Sequence, residues 1–140
     1  MEAGIDDVGL GVLFGLNTYR YDFVGLLMHA EHLEATFGVG PHTISVPRIC
    51  PADDIATQDF PDAISDEIFC KIVAVIRIAV PYTGMIISTR ESAATRRKVL
   101  NLGISQISGG FPDQRRRLCH SGNTGRKLGT IRYQRYPYFG

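Results

Sequence analysis

The chain has 140 residues, 44% of them hydrophobic, with a mean hydropathy of +0.00 and a formal charge of +1. That composition is rich enough in apolar residues for a core and excludes a disordered protein. The longest strongly apolar segment, Ile68–Val80, is interrupted by Lys71 and Arg77 and falls short of the ~20 residues a membrane-spanning helix needs.

Asp6–Leu16 is an apolar run entered through Asp6 and Asp7, with glycines at 9, 11 and 15. It reads as a buried strand of a parallel sheet. Its glycines either relieve packing or let main chain approach a ligand closely, since no Cβ stands in the way. Tyr21–Phe37 then carries Phe23, Val24, Leu27, Ala30, Leu33 and Phe37 at helical spacing, and Gly38 with Gly40-Pro41 stops it. His29 and His32 share a face of that helix, but no third ligand follows, so a solvated or capping role is expected rather than a metal site.

His42–Val46 is a short β-rich segment ended by Pro47, and Arg48 follows where a parallel strand would present ligand-binding groups. A guanidinium there either clamps a carboxylate or phosphate or pairs with Asp53 or Asp54. The loop Cys50–Pro61 holds Asp53, Asp54 and Asp59 without the alternating spacing of a calcium loop. Ser65-Asp66-Glu67 opens a helix predicted over Asp66–Val80, apolar nearly all round and expected to be largely buried. Pro81 ends it. Met85–Ser88 is a third strand leading into Thr89, Arg90 and Glu91, and Ser92 caps a helix over Ala93–Leu102. Gly103 stops that helix, and Ile104–Ile107 is a fourth strand.

The order β-α-β-α-β-α-β means an α/β fold with parallel strands and right-handed crossovers. It reads equally as a small doubly wound domain or as the final third of a (β/α)8 barrel.

Charge divides the chain. Residues 1–110 hold 8 Lys/Arg against 13 Asp/Glu, whereas residues 111–140 hold 7 Lys/Arg and only Asp113. Cys50, Cys70 and Cys119 are odd in number and lack metal-cage spacing. Asp6 and Asp7 stand where a secretory signal would be basic, so a reducing cytoplasm is the expected compartment.

Four stretches carry a resemblance: Ala3–Leu16, Leu27–Leu33, Gly38–Ile49 and Pro81–Ser92. Together they resemble the [FeFe]-hydrogenase H-cluster maturase that cleaves tyrosine, a radical S-adenosylmethionine (SAM) enzyme. The 2-iminoacetate synthase of thiamine biosynthesis and biotin synthase are more distant relatives. The resemblance covers about residues 1–110. It implies the C-terminal third of a radical SAM (β/α)8 TIM-type barrel, whose full-length form binds SAM and a [4Fe-4S] cluster and splits tyrosine at Cα–Cβ. It implies that Gly9, Leu10 and Gly11 lie against SAM, and that Ser45 and Arg48 face the substrate's carboxylate. Ser88, Thr89 and Arg90 would line the barrel.

The family's Cys-x-x-x-Cys-x-x-Cys motif is not in the sequence, so the cluster ligands are missing and the chain alone is expected to be inactive. Met1-Glu2-Ala3-Gly4 reads as interior family sequence. After Gly110 the resemblance stops. Residues 111–140 back-translate with ordinary codons so that the frame one base later spells the family's continuation, and an out-of-frame, irregular, poorly packed tail is expected. Two other functions compete. The chain is a piece of 2-iminoacetate synthase, or it is a non-enzymatic α/β module whose arginines and tyrosines after residue 114 bind nucleic acid. No nucleic-acid or membrane partner is expected, and exposed barrel edges are expected to cause oligomerisation.

Overall fold

The structure, a computed structural model, describes residues 1–50 and 59–108. The chain divides into two units, Met1–Gly110 and Phe111–Gly140, and the described residues all belong to the first. The expectations for Asp53, Asp54, Cys119 and the tail lie outside the described residues.

Seven elements run in the predicted order: β1 (Gly9–Gly11), α1 (Tyr19–Phe37), β2 (Thr43–Ser45), α2 (Asp66–Ala79), β3 (Gly84–Ile87), α3 (Ala93–Leu100) and β4 (Gln106–Ile107). All strand pairs are parallel and the sheet order is the chain order, β1-β2-β3-β4. Strands are shorter than the apolar runs that contain them. The Asp6–Leu16 run gives only three ladder residues before Phe14 makes a further bridge to Arg48.

Local chemistry explains the boundaries. Ser65 accepts from Ile68 N at 3.3 Å and Ser92 from Thr95 N at 3.0 Å, each satisfying a free donor of a helix's first turn. Gly38 ends α1 at φ 73, in the left-handed region that only glycine enters freely. Gly103 comes after α3 at φ 126, and a Cβ there would stand 2.7 Å from Arg77 Cγ. Arg77 occupies that space because its guanidinium is bonded to three carbonyls, of Pro81, Thr83 and Gly103. It ties the end of α2 to the entries of β3 and β4.

The core lies on one side of the sheet. Ile44, Met85 and Ile87 are fully buried against Leu26 and Ala30 of α1, Phe69, Val73 and Ile76 of α2, and Val99 of α3. Because all three helices share that core, the sheet is wound on one face only, which excludes the doubly wound reading. The α2 expectation needs correction. Phe69, Ile72, Val73 and Ile76 are buried, but Val75 is 46% and Ile78 is 79% exposed. As an outer-layer helix, α2 turns one flank away from the sheet, and apolar residues there meet solvent.

Candidate functional site

Alternation along parallel strands divides this sheet into two unlike faces. Leu10, Ile44, Met85 and Ile87 point to the helices. Gly9, Gly11, Thr43, Ser45, Gly84 and Ile86 fall on the opposite face, which has few large side chains. Registration puts Gly9 beside Thr43 beside Gly84, and Gly11 beside Ser45 beside Ile86. Ser88 continues the same parity beyond β3.

The two β1 glycines have two physical reasons. A Cβ on Gly9 would lie 2.7 Å from Thr43 Oγ1, and one on Gly11 would lie 3.3 Å from Ser45 Cβ. Their main chain is also available. Val8 O accepts from His42 N, and Phe14 exchanges bonds with Pro47 and Ile49, so the even-numbered residues of this run bond toward β2. By alternation the N–H and C=O groups of Gly9 and Gly11 point to the open edge of the sheet. Beside that edge is a groove of about 380 Å³, lined by Gly9, Gly11, Tyr21, Asp22, Gly25 and His29 among others.

Arg48 is placed differently from the expectation. Its Nε donates to Glu91 Oε1 and its Nη2 to Glu91 Oε2, both at 2.8 Å. Nη2 also donates to Asp66 Oδ1, Nη1 donates to the carbonyl of Ile64 at 3.2 Å, and the guanidinium stacks 4.6 Å from the Phe69 ring centroid. Four of the group's five N–H donors are thus taken, and no fork remains for a substrate carboxylate. Burial works against the cation, but the bonds to Glu91 and Asp66 outweigh it and raise the Arg48 pKa. Counting parity from buried Ile44 and Val46 puts Arg48 on the helix side, opposite Ser45. The two residues expected to share a ligand therefore lie on different faces. That parity was the signal available in the sequence, whereas Glu91, 43 residues away, gave none.

Around this pair is a polar cluster. Asp66 Oδ2 accepts from Thr95 Oγ1 at 3.0 Å, and bonds from Arg48 and Thr95 hold the Asp66 carboxyl below its usual range. Cys50 Sγ donates to Glu91 Oε1 at 3.3 Å. Burial, then the neighbouring Glu91 carboxylate, push the thiol up to about 11. A protonated thiol committed to a carboxylate is no cluster ligand, and Cys70 is the other described cysteine. Among the described residues no group fit to hold a metal ion is assembled. The described residues therefore do not fit an iron–sulfur cluster. At the exit of β3, Ser88 Oγ accepts from Arg90 N at 3.2 Å, and Thr89 O accepts from Arg96 Nη1 at 2.9 Å. Ser88 lies at the rim of the open face, and Thr89 and Arg90 form the turn behind it.

A parallel sheet wound in chain order, with helices on one side and small polar residues on the other, is the wall of an α/β barrel. Comparison with known proteins says which kind. The Biotin and Thiamin Synthesis associated domain model matches residues 45–122, and the chain belongs to that family. The chain is also similar to a solved structure titled "Crystal structure of HydG: A maturase of the [FeFe]-hydrogenase", at 64% identity and a TM-score of 0.71, covering 76% of this chain and 24% of that one. HydG from Carboxydothermus hydrogenoformans matches at 48% identity and a TM-score of 0.67, with the same coverage. The 2-iminoacetate synthase of Escherichia coli strain K12 is 31% identical over 121 residues, covering 80% of this chain and 31% of that protein. The chain thus spans 24–31% of the length of these relatives. Within that span it is a HydG-like piece of a radical SAM barrel.

Proposed function

We propose that this chain supplies the wall against which SAM and an amino-acid substrate are held in a radical SAM carbon–carbon lyase of the HydG type, acting on tyrosine. The observation that carries the reading is the 64% identity to HydG across a wall whose open face is lined by Gly9, Gly11, Thr43 and Ser45. SAM, when bound, supplies the adenosyl radical chemistry of the family. The residues that would hold it are Gly9 and Gly11, whose missing side chains leave the open face of β1 bare. Leu10 between them anchors the strand to the helix layer. Ser45 is the substrate-facing hydroxyl, next to Gly11. Arg48 acts indirectly: paired with Glu91 and Asp66, it fixes the end of β2 against α2 and the turn after β3. The cluster ligands come from outside this stretch of the barrel.

The division at Gly110 belongs to the same proposal. Residues 1–110 are barrel, and residues 111–140 are an out-of-frame continuation, a reading that rests on the change of charge at residue 110 and not on the family model, which matches on to residue 122. Resequencing of the locus tests this, and an intact frame encoding Phe111–Gly140 would overturn it.

The functional test is a chimera in which residues 1–108 replace the matching segment of HydG, assayed anaerobically for SAM binding, 5′-deoxyadenosine formation and tyrosine consumption. An active chimera is expected. A folded chimera that binds no SAM would refute the reading. Gly9→Ala with Thr43→Ala separates the two reasons for the glycine. The pair should restore stability, because the 2.7 Å contact is gone, but not SAM affinity.

A further inference from the structure

The parity that puts Gly11, Thr43 and Ser45 on the open face puts one more polar side chain there. Gln106 pairs in register with Ile86, Ile86 with Ser45, and Ser45 with Gly11. The row Gly11–Ser45–Ile86–Gln106 thus runs straight across the sheet on its open side. Within it one aliphatic side chain stands between a hydroxyl and an amide.

Gly84 lies two residues before Ile86 on the same face, and its missing side chain leaves a slot below that row. A Cβ on Gly84 would lie 3.3 Å from Thr43 Cγ2 and 3.5 Å from Gln106 Nε2. Thr43 and Gln106 therefore lean over the glycine from its two sides. Thr43 turns its methyl to the slot and its hydroxyl the other way, where a Cβ on Gly9 would meet Oγ1 at 2.7 Å. The slot has a bare glycine for a floor, Ile86 and a methyl for walls, and an amide at its far end. Neighbouring strands are about 4.8 Å apart, so Ser45 and Gln106 stand roughly 10 Å apart across two ladders. An amino acid with its α-carbon end at Ser45 spans that distance when it carries a long, flat side chain ending in a hydroxyl. The amide both donates and accepts, which suits a phenol in either role.

We propose that Gln106 is a specificity-determining residue: its amide bonds the hydroxyl of a 4-hydroxyphenyl ring seated over Gly84. The assignment rests on the tyrosine-lyase reading above and extends it to the far end of the substrate. Phenylalanine in the same slot leaves the amide facing carbon, so it forgoes a bond that tyrosine makes. Thr43 and Gly84 seat the ring by shape alone and serve both amino acids equally.

The test uses the chimera described above, loaded with SAM and without reductant, so that no turnover occurs. Equilibrium dialysis gives the dissociation constants of tyrosine and phenylalanine. Gln106→Met, similar in size but lacking the amide, should weaken tyrosine at least ~10-fold and phenylalanine less than ~2-fold. Gln106→Glu still accepts from the phenol and should keep the preference for tyrosine. Gly84→Ala puts a Cβ into the slot and should weaken both amino acids alike. Circular dichroism and SAM binding, unchanged in all three variants, show that each is folded and loaded. A tyrosine-to-phenylalanine ratio that Gln106→Met leaves unmoved, or that Gly84→Ala lowers as much, would overturn the assignment. A parent chimera that binds no SAM brings down the earlier reading and this one with it. A parent that binds SAM and cleaves tyrosine, with the ratio unmoved, brings down this one alone.

Discussion

Removing the Glu91 carboxylate tests whether the polar cluster at the ends of β2 and β3 holds the barrel wall together. The Glu91 side chain is 2% exposed and that of Arg48 10%, so solvent cannot replace the lost partner. Breaking a buried ion pair from one side costs about 3–5 kcal/mol, mostly from the charge left behind. Here Asp66 and the Ile64 carbonyl keep their hold on Arg48, which places Glu91→Ala near the lower end, about 3 kcal/mol. For a domain of this size that lowers the melting temperature by roughly 10 °C. Replacing both partners with apolar residues, Arg48→Met with Glu91→Leu, strands no buried charge, leaving only the half-exposed Asp66 carboxylate without its cation, and should lose about 1 kcal/mol. Urea unfolding tracked by circular dichroism measures both. A Glu91→Ala protein within about 0.5 kcal/mol of the parent, or a double variant as unstable as the single, would refute the reasoning.

Other expectations rest on the same geometry. With its thiol near 11, Cys50 should react with iodoacetamide far more slowly than an ordinary thiol, and Glu91→Gln should speed it by removing a neighbouring charge, as peptide mass mapping would show. Gly38→Ala should cost about 1 kcal/mol, from its positive φ alone, since nothing lies within 4 Å of the added Cβ. Gly103→Ala should cost more, about 2–3 kcal/mol, because its Cβ also displaces Arg77 from three carbonyls; equal losses in urea would contradict this. The Asp66 carboxyl is held below its ordinary value by Arg48 and Thr95. Its contribution is therefore complete at neutral pH and is lost as pH falls below about 4, where the unfolded chain takes up the proton first. Asp66→Asn should flatten that part of the stability–pH curve.

Sequence alone carried the element order because its signals are local. Ser65, Ser92, Gly38 and Pro81 act within one turn of where they stand, and each marks a real boundary. The ladders are shorter than the apolar runs because twist and turns end pairing before hydrophobicity ends. Long-range pairing was not legible. Arg48 could be placed at a strand end, but nothing near it in the chain names Glu91 as its partner. Likewise the apolar circumference of α2 said nothing about which side has a neighbour. The site was half legible: Gly9, Gly11 and Ser45 share a face by parity, while the same parity carries Arg48 to the other side.

A sheet whose spatial order is its chain order also has a mechanical consequence. Each strand is bonded only to the strands before and after it, so the unit is built as a series of nearest-neighbour couplings. Pulled from its two ends, such a molecule should peel in steps, shedding one strand and its helix at a time. The last ladder to part should be that between β2 and β3, whose residues carry the fully buried Ile44 and Met85. The same seriality lets length change at either end without rewiring the middle.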